Sequence, residues 1–91
     1  MAVKEMTEMN KVELYKEIRW NNRMLRKIAE GRGSEVETMD YATYFAYYES
    51  NQRFMAELLQ RGMSKQDYRV RDAHHNASYR ARRFLEAKLG Y

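Results

Sequence analysis

Leu58-Leu59-Gln60-Arg61-Gly62-Met63-Ser64-Lys65-Gln66-Asp67 is the stretch whose reading decides the fold. A run that mixes apolar and polar residues stops at Gly62, Ser64 follows two residues later, and Asp67 stands three positions beyond the serine. Glycine accepts the left-handed backbone that ends a helix. Ser-x-x-Asp offers side-chain oxygens to the unpaired N–H groups that begin one, as a weaker version of the Ser-x-x-Glu box. The stretch therefore reads as helix, stop, cap, helix, with a connection so short that the second helix must run back along the first. The same grammar recurs upstream. Asn10 with Glu13 opens a first helix, Gly31 and Gly33 close it, and Ser34 with Glu37 opens a second. Gly90 follows the last, and the 91 residues contain no proline to interrupt any of them. The expectation is an all-α chain: a short lead over 1–9, then a single domain over 10–91. That domain is an up-down-up three-helix bundle with long antiparallel helices over 10–30, 34–61 and 64–89.

Placing residues at about 100° per position gives each helix a buried face. Leu14, Ile18, Asn21, Leu25 and Ile28 form the stripe of the first helix. Tyr41, Tyr44, Phe45, Tyr48, Gln52, Met55, Leu58 and Leu59 form a broad aromatic stripe on the second, which is expected to be the best buried. Val70, Ala73, His74, Ala77, Ala81, Phe84 and Leu85 form that of the third. Counting from the turn at Gly62, Tyr48 lies level with Ala77 and Tyr44 with Ala81, so large rings face small residues.

The same count brings Asn21, Asn51, Gln52 and His74 to one height. On or beside apolar stripes, they should form a buried polar layer in mid-bundle. Such a layer must be hydrogen-bonded, since an unsatisfied buried amide or imidazole costs about 1–3 kcal/mol. It has two readings: a device that fixes helix register, as a buried asparagine does in coiled coils, or a small polar pocket between helices.

The chain offers little to catalysis. It has no cysteine, so neither a disulfide framework nor a thiolate metal site exists. His74 and His75 are adjacent and diverge by about 100° on a helix, and no His-x-x-x-His or Glu-x-x-His spacing occurs, so no metal site is expected. The acidic residues are interleaved with Lys and Arg rather than paired, no serine sits in a nucleophile elbow, and Gly31-Arg32-Gly33 reads as a helix stop rather than a phosphate loop. No cofactor is expected, and the protein is not expected to be an enzyme. The opening Met-Ala-Val-Lys-Glu-Met-Thr-Glu carries no apolar run of signal-peptide length, and no stretch of about eighteen apolar residues follows, so the expected location is cytoplasmic, without a membrane.

Charge and exposed aromatics point to partners. The net charge is +4. The first and third helices are basic and the second is acidic. Arg80, Arg82 and Arg83, with Arg69 and Arg71 earlier and Tyr79 between, make the third helix arginine-rich. Trp20 and Met24 project away from the first stripe, and Tyr68 and Tyr79 away from the third. Trp, Tyr and Arg dominate protein-interface hot spots. The leading reading is a protein-binding module, an adaptor, inhibitor or assembly unit, that uses Trp20, Met24, Tyr68, Tyr79, Arg80, Arg82 and Arg83. Its partner would be another protein with an acidic surface, or a further copy in a homo-oligomer. The small, cysteine-free helical character is that of accessory proteins of phages and mobile elements acting on a host protein. The alternative is nucleic-acid binding through the arginines of the third helix, although no helix-turn-helix pattern supports it.

Overall fold

The computed structural model describes residues 5–31 and 41–89. They form a 3₁₀ turn at Met6–Glu8 and three helices, α1 (Lys11–Glu30), α2 (Tyr41–Arg61) and α3 (Lys65–Leu89), with no strand among the described residues. The expected start of the second helix at Ser34, with Glu37, lies outside the described residues.

The caps are those the spacing implies. Asn10 Oδ1 accepts from the Glu13 N–H at 2.9 Å, and Glu13 Oε1 accepts from the Asn10 N–H at 3.1 Å. At the start of α3, Ser64 Oγ accepts from the Asp67 N–H at 3.3 Å and Asp67 accepts from the Ser64 N–H at 2.9 Å. Gly31 (φ 64°) and Gly62 (φ 88°) take the left-handed conformation. A Cβ at Gly31 would meet Phe84 Cζ at 3.0 Å, whereas at Gly62 it would meet open space. Gly31→Ala is therefore expected to cost about 1–2 kcal/mol and Gly62→Ala about 1 kcal/mol, read from urea unfolding. Equal losses would mean that contact with Phe84 contributes nothing.

Chain direction follows from contacts at the two ends. Lys11 and Tyr15 of α1 bond to Asp67 at the start of α3, and Gly31 at the end of α1 touches Phe84 near the end of α3, so α1 and α3 run parallel. α2 runs against both: Tyr44 packs with Leu25, Ile28, Ala77, Ala81 and Leu85, while Phe54, Met55 and Leu58 pack with Leu14, Ile18 and Val70. The core is thus two apolar clusters, one at each end of the bundle. Tyr44 lies against Ala77 and Ala81, and Tyr48 packs against the same cluster.

Three expectations about faces need correction. Phe45 and Leu59 were expected in the buried stripe but are 48% and 67% exposed. α2 turns the edge carrying Tyr44, Asn51, Met55 and Leu58 inward, with Phe54 also buried, and this rotates Phe45 and Leu59 outward. Ala73, assigned to the stripe of α3, is exposed for the same rotational reason, the buried line running Val70, His74, Ala77, Ala81. The best-buried helix is α1 rather than α2: Leu14, Ile18, Leu25 and Ile28 are all fully enclosed, because α1 is packed against both other helices and most extensively against α3.

At one end of the bundle a buried carboxylate ties the helices together. Asp67, fully enclosed, accepts from Lys11 Nζ at 2.8 Å, from the Tyr15 hydroxyl and from its own cap at Ser64. Burial alone would raise its pKa, but the Lys11 ammonium, the Tyr15 hydroxyl and the Ser64 amide outweigh it and hold the group down at about 2. Burial and the bond to Asp67 push the Tyr15 hydroxyl up. Nearby, Arg61 donates to the carbonyls of Met6 at 3.1 Å and Thr7 at 3.4 Å, which fastens the N-terminal turn to the end of α2.

Candidate docking surface and the polar layer behind it

α1 buries one side and leaves the other to solvent, and the 3–4 spacing of its cations puts Lys16, Arg19, Arg23 and Arg26 on that outer side around Trp20. These five residues and Glu17 line an open cleft of about 600 Å³. A second cleft of about 330 Å³ lies between α1 and α3, lined by Arg19, Asn22, Arg26, Gln66, Arg69, Val70 and Ala73. Arg19 and Arg26 line both, so the two clefts adjoin.

The described arginines fall into two groups. Arg82 and Arg83 reach Glu86 at 3.6 and 4.0 Å, Arg71 reaches Asp72 at 3.9 Å, and Arg53 and Arg61 pair with Glu49 and Glu57. Arg71 also lies over the Tyr68 ring at 4.9 Å and Arg82 over Tyr79 at 5.9 Å. By contrast, Lys16, Arg19, Arg23, Arg26, Arg69 and Arg80 form no ion pair with any described residue.

The structure divides the residues singled out from sequence. Trp20 is 54% exposed in the α1 cleft, and Met24 beside it is half-buried. Tyr79 lies in a separate cleft of about 290 Å³ on the α2–α3 side, with Tyr44, Tyr48, His75, Ser78 and Arg82. There the Tyr44 hydroxyl donates to the Ser78 carbonyl at 3.3 Å, and burial pushes its pKa up to about 12. Tyr68 is exposed near the start of α3, and Arg80 and Arg83 line none of these three clefts. Trp20 and Tyr79 thus do not share one surface.

Sequence reasoning did not single out Arg19, Arg23, Arg26, Asn22 or Gln66 as a set. A signal existed: Arg19 and Arg23 have no acidic residue three or four positions away, whereas Arg82 and Arg83 both have Glu86.

Behind the α1–α3 cleft stands the polar layer. Asn21 Nδ2 donates to Asn51 Oδ1 at 2.8 Å and to Ser50 Oγ at 3.2 Å. Asn51 Nδ2 donates to Asn22 Oδ1 at 2.9 Å and to His74 Nδ1 at 3.1 Å. Asn51 is the hub, since its position on α2 faces both other helices. Gln52, next in sequence, is half-buried and makes none of these bonds; Asn22 and Ser50 complete the network instead. His74 lies against the rings of Tyr48 and His75 at 5.6 and 5.5 Å. Burial, assisted by His75, pushes its pKa down to about 4, so the ring is neutral near pH 7. Because Nδ1 accepts from Asn51, the proton sits on Nε2, which is buried without a partner among the described residues.

Among the described residues no three His, Asp or Glu side chains gather as metal ligands would, and no helix is long and apolar enough to cross a membrane. No family model matches the chain, and neither a curated protein nor a solved structure matches it.

Proposed function

We propose that this chain is a non-enzymatic protein-binding module, an adaptor, inhibitor or assembly unit, that docks a partner with an acidic surface on the outer face of α1. The observation that carries the reading is Trp20, 54% exposed and ringed by Lys16, Arg19, Arg23 and Arg26, none of them ion-paired with a described residue. An exposed tryptophan among arginines is the composition of an interface hot spot, with an apolar anchor and cations that gain when a partner's carboxylates desolvate them. Nucleic-acid binding by α3 is the weaker reading. Two of its three clustered arginines already serve Glu86. The free cations of α1, between Lys16 and Arg26, cover only about 15 Å of helix, short for a backbone track that engages half a dozen phosphates.

The test compares the intact chain with two variants in affinity capture at physiological salt after nuclease treatment. Trp20→Ala, shown folded by circular dichroism, is expected to lose its partner at least about tenfold, while Arg80/Arg82/Arg83→Gln retains it. The opposite pattern, with duplex or single-stranded DNA competing for the site, would replace this reading by the nucleic-acid one.

A further inference from the structure

We propose that the groove between α1 and α3 is an oxyanion site, in which Arg19, Arg26, Arg69 and the amide of Asn22 take carboxylate side chains from an acidic segment of the protein partner. The proposal rests on the protein-docking reading and names the chemistry that its groove recognises.

Asn22 carries the inference. It is only 3% exposed, yet it lines the cleft with Arg19, Arg26 and Arg69. Its oxygen is turned inward: Asn51 Oδ1 is taken by Asn21, so Asn51 presents its Nδ2 to Asn22, whose Oδ1 accepts it at 2.9 Å. The Nδ2 of Asn22 has no partner among the described residues. It is not among the enclosed unpartnered atoms, which among the described residues are Arg71 Nε and His74 Nε2, so the amide nitrogen keeps exposed surface on the cleft that Asn22 lines. The polar layer thus does more than join helices, because it aims a pair of donors into a groove walled by guanidinium groups.

Those groups can only donate. Three like charges on one groove repel one another unless an anion sits between them, so the fitting ligand is an acceptor-only oxyanion, which guanidinium binds through paired N–H groups. Carboxylates of a protein segment fit better than phosphodiesters. Glu17 lies in the adjoining cleft, where a nucleic-acid strand, charged at every step, would meet a like charge, whereas a protein segment can set an uncharged residue there. Arg19 and Arg26 also line the cleft of Trp20, so a segment whose carboxylates occupy the groove brings a neighbouring apolar side chain onto the indole.

Trp20 is the only tryptophan, so its fluorescence reports binding in the intact chain. The titrants are decaglutamate, inorganic phosphate and a ten-residue oligothymidylate, each in 150 mM salt. Decaglutamate is expected to bind the tightest of the three. Asn22→Asp keeps the oxygen that Asn51 needs but replaces the donors with a carboxylate oxygen, and it should weaken decaglutamate binding at least about tenfold, as should Arg19→Gln with Arg69→Gln. Arg83→Gln, outside the groove, should leave binding within about twofold. Melting curves identify any variant that fails to fold; should Asn22→Asp be one, the double arginine variant decides. Unchanged affinity in the folded groove variants, or binding of phosphate or oligothymidylate as tight as that of decaglutamate, would overturn the proposal. If Trp20→Ala loses the captured partner while Asn22→Asp keeps it, the groove assignment fails and the docking face stands. If Trp20→Ala keeps the partner, the docking reading itself fails.

Discussion

Asn51→Leu is expected to lower the unfolding free energy by about 3–5 kcal/mol, the largest effect of any single change in the polar layer. Leucine fits an enclosed site between two apolar clusters, so the loss comes from stranded partners rather than from a void. Asn21 Nδ2 keeps only its longer bond to Ser50, Asn22 Oδ1 loses its donor, and His74 Nδ1 loses the one bond it makes. Each buried group left unpaired costs about 1–3 kcal/mol. For a domain of this size, with a total stability of about 5–10 kcal/mol, the melting temperature should fall by about 15 °C or more. His74→Leu should cost only about 1 kcal/mol. It strands one N–H of Asn51 and at the same time removes the Nε2–H, which is buried without a partner among the described residues. The double variant should be less destabilised than the sum, since leucine at both positions leaves no imidazole to strand. Urea unfolding of the three variants checks the order. An Asn51→Leu protein within about 1 kcal/mol of the parent would show that the layer is not bonded through Asn51.

The contrast between these two residues shows how far the sequence could be read. Helix number, the stop at Gly31 and the turn at Gly62 were legible because glycine, the caps and the absence of proline act locally, on backbone dihedrals and free N–H groups. The stripe of α1 was legible too, since a helix enclosed by two others buries a line regular enough to stand out against its polar residues. What failed was rotation. On α2 apolar residues surround much of the helix, so hydrophobicity alone could not tell Phe45 and Leu59, which face out, from Phe54, which faces in. The polar layer was placed at the right height by counting from Gly62, but the same uncertainty of rotation put Gln52 in it and left Asn22 and Ser50 out. The arginines pose a related difficulty. Their density on α3 suggested the binding surface, yet density is a property of composition, while availability depends on what lies one turn away. Glu86 engages Arg82 and Arg83, and Arg19 and Arg23 of α1 have no acidic residue at that spacing.

Acid should destabilise the protein in two successive steps, with an expected loss of about 3 kcal/mol between pH 7 and pH 4. In the folded chain burial, with His75 adding to it, holds the His74 pKa at about 4, against 6.5 for an ordinary histidine. Below about pH 6.5 the unfolded chain therefore binds a proton that the folded chain refuses, and stability falls with pH until the folded pKa is reached. A difference of this size corresponds to about 3 kcal/mol. The second step belongs to Asp67, whose folded pKa of about 2 lies below its ordinary 3.8. Its contribution is complete above pH 3.8 and is lost as the pH falls from there towards 2. It amounts to about 2 kcal/mol at most, because Lys11 is partly open to solvent and its charge is screened. The two windows hardly overlap, so melting temperature against pH should show one decline from about pH 6.5 to 4 and another below it. His74→Leu should flatten the upper decline and keep the lower, while Asp67→Asn should start from a lower stability and show a shallower fall below pH 4. If His74→Leu loses stability between pH 6.5 and 4 as steeply as the parent, the buried imidazole is not the group that titrates, and the neutral acceptor assigned to His74 in the polar layer is wrong.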